Sequence, residues 1–366
     1  MYLSIVIYLR WRKFKLFLKT KPMNTGRREF LRTTALTGIG LGLSGGILTT
    51  KGQSNSSAGT KVGIIGLDTS HSTAFTKTLN SPEAGAEFLG YKVVAAYPKG
   101  SNDIESSTSR IPGYIAEVQK YGVEIVDSIA DLLTKVDVVL LETNDGRLHL
   151  EQALPVLKAG KRMFIDKPMA ASLADAIAIF EASKKYNVPV FSCSSLRYIT
   201  GMDEVLSGKI GKVTGAETYS PAKLEKTHPD LFWYGIHGVE TLFTAMGTGC
   251  KSVVRVSNED TDMVVGTWND GRIGTFRGIR KGKGDYGGTI YGEDGIKVLG
   301  SYGGYNPLLI QIITYFKTGI VPVKQEETLE ILAFMEAADI SKAQGGTSVD
   351  LEPVMKKAKE IASKKL

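Results

Sequence analysis

The sequence predicts an α/β protein with two folded domains, a doubly wound parallel sheet followed by an α+β domain with a large, open, mostly antiparallel sheet. Three observations carry that expectation. Between residues 60 and 195, short apolar strands alternate with helical stretches of five to fourteen residues. From residue 196 onward, strands follow one another across Gly and Asn-Asp turns, with helices gathered near the end. The chain has 366 residues, 42% of them hydrophobic, which is enough for two cores.

Residues 1–59 read as an export signal and linker. Arg27-Arg28 is followed by Phe30-Leu31 and then by an uncharged stretch from Thr33 to Thr50 rich in Gly, Leu and Thr. A basic segment before a mildly apolar one is an export pattern, and this one resembles a twin-arginine signal. The stretch is too weakly apolar for a good membrane span, so no stable membrane insertion of the mature protein is expected. Met23 reads as the natural start of the signal, with residues 1–22 preceding it. Residues 51–60, KGQSNSSAGT, are a polar linker. The charge distribution agrees with this division. Residues 1–50 hold nine Lys/Arg and one acid, leaving 36 basic and 37 acidic residues beyond them. The net charge of +7 therefore belongs to the leader, and the folded part makes no case for a nucleic-acid partner. Two cysteines, Cys193 and Cys250, lack companions at metal-ligand spacing and read as unpaired, buried thiols.

The first domain opens with the strand Lys61 to Gly66 and a helix over 72–79. Strands follow over 91–97, 124–126, 136–141, 162–165 and 188–193, with helical stretches over 111–121, 129–133, 148–159 and 173–186 between them. Right-handed crossovers turn this alternation into a doubly wound sheet of Rossmann type, whose binding crevice lies at the carboxyl ends of its strands. In the second domain, helices are expected over 202–207, 308–318 and 326–344, and within 228–244. Strands are expected over 215–220, 252–256, 262–268, 273–280, 287–291 and 295–299, with Asn269-Asp270-Gly271 as a hairpin turn. Its open sheet is a candidate surface for homo-oligomerisation.

The strand tips nominate Gly66, Asp68, Thr69, Ser70, His71, Lys99, Glu142, Asn144, Asp166, Lys167 and Arg197 as neighbours in the crevice. A dinucleotide fingerprint places glycine at three positions, for turn geometry, pyrophosphate approach and helix packing. Gly66 fills the first, but Asp68 and His71 occupy the other two. A carboxylate facing a diphosphate is repulsive, so binding there falls to helix N–H groups, Thr69 and Ser70 hydroxyls, and a protonated His71. Lys99 and Ser101 stand where an acidic ribose ligand is usual, a pattern that suits NADP as well as an ordinary surface loop. Arg197 is placed for a phosphate or an interdomain ion pair. His228 and Asp230, with Asp68 and His71, are adequate metal ligands by type, but spacing does not bring them together, and no metal site is expected.

The chain resembles the Gfo/Idh/MocA family of glucose–fructose oxidoreductase and inositol dehydrogenase. The resemblance rests on KVGIIG at 61–66, on AGKRMFIDKP at 159–168, on Gly208 to Val213, on Gly235-Ile236-His237, and on the helix near 329–338. It implies NAD or NADP as cofactor and a sugar or cyclitol as substrate. It also implies Lys167 near nicotinamide and substrate, and His237 as acid/base. Where the family pattern has an Asp one turn before that histidine, this chain has Trp233, which could stack on a sugar ring. The leading expectation is an NAD(P)-dependent oxidoreductase acting on a sugar or cyclitol hydroxyl. A glycoside-processing enzyme with retained NAD and no net redox change is the second. An exported sugar-binding or accessory protein with an altered cofactor loop is the third.

Overall fold

The computed structural model describes residues 60–366. The expected export signal lies outside them. Among the described residues, no helix is long and apolar enough to cross a membrane.

The first half alternates strands and helices: β1 Lys61–Ile65, α1 Ser70–Asn80, β2 Lys92–Tyr97, α2 Glu105–Thr108, α3 Ile111–Gln119, β3 Glu124–Ile125, α4 Ile129–Lys135, β4 Val138–Leu141, α5 His149–Lys158, β5 Met163–Ile165, α6 Leu173–Tyr186 and β6 Val190–Phe191. All pairings are parallel, in the order β3-β2-β1-β4-β5-β6, the two-winged arrangement of the Rossmann fold. Local chemistry fixes the helix starts. Ser128 and Ser172 accept the N–H groups of Asp131 and Asp175 as N-caps of α4 and α6. Strand β4 is buried at every residue, as a central strand covered on both faces must be. The order places β1 beside β4, so the binding crevice opens where the crossovers change direction.

The second half runs α7 Met202–Leu206, β7 Val213–Pro221, α8 Asp230–Trp233, α9 Ile236–Met246, β8 Cys250–Ser257, β9 Thr261–Trp268, β10 Ile273–Ile279, β11 Gly287–Gly292, β12 Ile296–Leu299, α10 Asn306–Thr318, α11 Gln325–Ala343, β13 Val349–Asp350 and α12 Leu351–Ala362. Its sheet has the order β12-β11-β7-β10-β9-β8-β13, antiparallel except between β7 and β10. Alternate residues are buried, so one face packs on α9 and α11. Val256 and Val298 are 67% and 68% exposed, which leaves apolar surface on the strands. Both expected architectures are therefore present.

Two features depart from the expectations. Helix α12 was not anticipated, although Leu351, Val354, Ala358 and Ala362 recur at helical spacing and are all buried. Helix α10 follows the second sheet in sequence but packs on the first. Leu308, Ile312 and Phe316 join Val62, Ile64, Phe75 and Phe164 in one core cluster. Arg162 Nη1 also donates to the Phe316 carbonyl at 2.6 Å. This return brings Tyr305, at the start of α10, over the tips of the parallel sheet. Cys193 and Cys250 are free and buried, as expected.

Candidate active site at the strand tips

A cavity of about 260 Å³ lies at the carboxyl ends of the parallel strands, lined by residues from both halves. The first half supplies Thr69, Ser70, His71, Arg110, Asn144 and Lys167. The second supplies Tyr234, His237, Tyr286, Tyr302 and Tyr305. Lys167 and His237, the two expected catalytic residues, therefore reach the same space from different elements.

His237 lies in the first turn of α9. Its Nδ1 is 2.7 Å from Ser194 Oγ, and Tyr234 and Tyr286 pack edge-on against the ring. Burial, reinforced by the charges of Lys167 and His71, holds its pKa well below the ordinary imidazole value, so it is neutral near pH 7. The Lys167 side chain is 11% exposed, with Nζ 3.8 Å from Asp166 Oδ2. Ser194 comes from the segment after β6, which ends at Phe191 and so frees 192–195 to turn under α9. The Ser194 N–H donates to Glu240 Oε2 at 2.7 Å. Arg197 donates to Glu240 at 3.0 Å and also pairs with Glu327. Arg197 is thus committed to an ion-pair network behind the cavity and is absent from its lining, so of its two expected roles the structure shows the ion pair and not the phosphate or substrate contact.

The phosphate loop differs more from expectation. Gly66 has φ +88°, and a Cβ there would stand 2.5 Å from Thr143 Cα, so two constraints require glycine. Asp68 is fully buried. Its Oδ1 accepts the Asn144 N–H at 2.9 Å and its Oδ2 the Ser101 N–H at 3.3 Å. Burial pushes its pKa up, while those backbone N–H groups pull it down. Asp68 thus faces no ligand; it ties the loop after β2 to the loop after β4. Leu67 N–H donates to the Pro98 carbonyl at 3.2 Å, and a Cβ on Gly100 would collide with Asp68.

A second layer of ties lies beyond the first. Arg147 donates to Asp103 Oδ2 at 3.1 Å and to Asp145 Oδ1 at 2.9 Å. His228 from the second half places Nε2 3.3 Å from Asp145 Oδ1. Despite burial, His228 and Arg147 hold the Asp145 carboxyl far below the usual range. Trp233 packs on His228 at 4.9 Å and does not line the cavity, so the expected sugar-stacking role does not follow from its position. Lys99 is exposed and also lies outside the lining. Asp230 pairs with Arg255 and Lys342, so His228, Asp230, Asp68 and His71 do not converge.

These ties decide the fit of a dinucleotide. An extended NAD or NADP crosses from the end of β2 to the end of β4 over the first loop. Here the Ser101 and Asn144 N–H groups of those loops are taken by buried Asp68, and Arg147 is held by Asp103 and Asp145. The cavity is also smaller than the roughly 300–1,000 Å³ typical of ligand pockets. It suits one sugar-sized ring, and the arrangement does not fit an extended dinucleotide.

The tips bring together one group that the fingerprint positions alone do not reveal. His71 Nδ1 lies 2.9 Å from Asp166 Oδ1 and 3.6 Å from Glu142 Oε2, with all three residues buried. Burial pulls His71 down, but the two carboxylates outweigh it and raise the imidazole to about 10. Tyr305 packs edge-on against His71 at 4.5 Å, and its hydroxyl is 3.0 Å from Ser70 Oγ. The tyrosines were missed in the sequence because Tyr302 and Tyr305 sit in a Gly-rich connector, SYGGYNP, far from any strand tip. A larger groove of about 650 Å³ between α6, α11 and α12 is away from these groups.

The fold and the shared cavity define a two-domain architecture with a Rossmann-type first domain. Residues 60–193 match the Gfo/Idh/MocA family model, described as an oxidoreductase family with an NAD-binding Rossmann fold. Among curated proteins, the chain is 27% identical over 150 residues to inositol 2-dehydrogenase of Salmonella typhimurium, covering 38% of this chain and 45% of that protein. It is 26% identical over 113 residues to the uncharacterized oxidoreductase YhhX of Escherichia coli, covering 27% of this chain and 32% of that one. The chain thus spans less than half the length of these curated relatives. Solved structures extend the likeness over both domains. Scyllo-inositol dehydrogenase from Lactobacillus casei, with bound NAD(H) and scyllo-inositol, gives a TM-score of 0.63 at 16% identity, covering 80% of this chain and 98% of that one. Myo-inositol 2-dehydrogenase from Lactobacillus plantarum gives 0.61 at 15%, covering 79% and 98%. At these identities the structural likeness speaks for the fold.

Proposed function

We propose that this chain is an enzyme acting at a hydroxyl of a sugar or cyclitol, with Lys167 and His237 handling the substrate proton. One observation carries the reading: both residues line a single cavity sized for one sugar ring and walled by Tyr234, Tyr286, Tyr302 and Tyr305. Aromatic faces accept the apolar side of a sugar ring, and burial keeps the Tyr286 and Tyr302 phenols neutral. In the tautomer that donates Nδ1–H to Ser194, His237 keeps the Nε2 lone pair for a substrate proton. The Lys167 ammonium then stabilises the oxyanion that develops. Inositol dehydrogenases among the relatives support the substrate class.

A second reading, the redox form, is favoured by the family match of residues 60–193. In it, a bound NAD or NADP would supply the acceptor for hydride from the carbon bearing that hydroxyl, and the loop ties at Asp68 would have to open to admit it. Titrating the purified full chain with NAD and NADP, then assaying turnover of inositols and monosaccharides, separates the two forms. Saturable dinucleotide binding with substrate-dependent reduction supports the redox form. Turnover without either supports proton transfer alone, as in opening of a hemiacetal ring: the anomeric hydroxyl proton passes to His237, the bond from the anomeric carbon to the ring oxygen breaks to leave a carbonyl, and Lys167 returns a proton to the ring oxygen. A protein that binds sugars but turns none over is a binding protein, and both forms fail.

Export through the twin-arginine-type pattern and a periplasmic location are part of this proposal, supported by the Arg27-Arg28 segment. Cell fractionation tests them. Homo-oligomerisation through the second sheet is supported by the exposed Val256 and Val298 and is tested by light scattering.

A further inference from the structure

We infer that His71, Glu142 and Asp166 form a binding site for one first-row divalent transition cation at the floor of the cavity. The three residues arrive from separate elements, α1, the end of β4 and the end of β5, and their ligand atoms all lie within 4.8 Å of one another. The imidazole nitrogen is 2.9 and 3.6 Å from the two carboxylates. Metal–ligand bonds of about 2.0–2.2 Å set ligand edges of roughly 3.0–3.5 Å, so the spacing suits a shared ion.

Unmet bonding potential at this place is an independent observation. Glu142 is fully buried, yet neither of its oxygens has a hydrogen-bond partner. Asp166 Oδ2 and His71 Nδ1 also lack one, because the short contact to Asp166 Oδ1 is not aligned as a hydrogen bond. Buried carboxylate oxygens left unpaired are costly, and a cation satisfies all of them at once. One imidazole with two carboxylates favours Mn²⁺ or Zn²⁺ over Ca²⁺, which prefers oxygen ligands throughout. Three protein ligands leave a position open, as in catalytic metal sites. His71 also lines the cavity, so that site adjoins the space holding Lys167 and His237. The claim of binding stands on the triad alone; a Lewis-acid part in the reaction deepens the sugar-hydroxyl reading and rests on it.

The test is calorimetric titration of the chelator-treated full chain with Mn²⁺ and with Zn²⁺, alongside the Mn²⁺ electron paramagnetic resonance signal. One ion per chain is expected. Glu142→Gln and Asp166→Asn should each weaken binding by more than roughly 100-fold, beyond the usual effect of an outer-shell change. Circular dichroism verifies that each variant is folded, and His71→Gln replaces any that is not. Absence of saturable binding in the unaltered protein, or undiminished binding in the folded variants, overturns the site and leaves an imidazolium held between two carboxylates. Sugar turnover is assayed separately. Metal binding without turnover keeps the site and removes the reaction, and turnover without metal binding does the reverse.

Discussion

The two ends of the crevice have diverged in opposite directions. At the reactive end, Lys167 and His237 line one cavity, and neither side chain is consumed by an ion pair shorter than 3.8 Å. At the phosphate end, polar groups of the loops after β1, β2 and β4 are spent on one another. Asp68 takes the Ser101 and Asn144 N–H groups, and Arg147 bridges Asp103 and Asp145. A carboxylate from the chain sits where a cofactor's phosphate would otherwise collect such donors. The contrast shows that a Rossmann sheet can keep the geometry of its reactive end while closing the path to it, so activity has to be read from the site rather than the fold.

The largest expected effect falls at the reactive end. Lys167→Met and His237→Asn should each lower kcat/KM for the sugar by roughly 10²–10⁴-fold, the range for removing a general acid or base. Steady-state assays on folded variants check this, and unchanged turnover in both would end the proposal. Next is the support behind His237. Burial, against the pull of Arg197, raises Glu240 to about 7 from an unfolded value near 4.5. A carboxyl raised on folding favours the folded state below the unfolded value and loses that contribution as pH rises through the folded one. The unaltered protein should therefore lose on the order of 3 kcal/mol relative to Glu240→Gln between pH 4.5 and 7. Urea unfolding at several pH values measures it, and parallel curves for the two proteins would contradict the assigned burial.

Most of the framework was legible in the sequence because it depends on periodicity. Continuous apolar runs such as VDVVLL announced buried parallel strands, and Asn269-Asp270-Gly271 announced the hairpin between β9 and β10. Lys167 was nominated by its strand tip as well as by the resemblance, His237 by the resemblance, and both line one cavity. Other residues were legible only by type. Asp68 stood out as wrong for a phosphate loop, but whether it faced a ligand or two backbone amides depended on how close the 98–101 and 144 loops approach. Arg197 had two partners in Glu240 and Glu327 that lie 43 and 130 residues away in sequence. His71, Glu142 and Asp166 were nominated as crevice neighbours by the strand tips, but their convergence to within 4.8 Å depends on β1, β4 and β5 lying side by side in the sheet. Tyr305 reached the site because α10 returned to the first sheet, which no local pattern records.

The phosphate end gives smaller effects that sharpen the comparison. Asp68→Ala leaves the buried Ser101 N–H unpaired and the partly buried Asn144 N–H to find water, and should cost about 1–3 kcal/mol by urea unfolding, the cost of one orphaned buried group. Asp68→Asn keeps an acceptor and the shape, so it should recover most of that loss. If Asp68→Ala were instead harmless and gained saturable NAD or NADP binding, the ties would be a removable gate and the redox form would take precedence. The smallest change is Tyr305→Phe, which removes the hydroxyl contact with Ser70 but keeps the ring against His71. A partly exposed hydrogen bond of that kind is worth about 1 kcal/mol or less. The unfolding midpoint should therefore barely move, while Tyr305→Ala opens the cavity wall and should raise KM for the sugar more than it lowers kcat. Equal loss of kcat in Tyr305→Phe and Tyr305→Ala would mean that the hydroxyl takes part in the chemistry and that the reactive end extends onto α10.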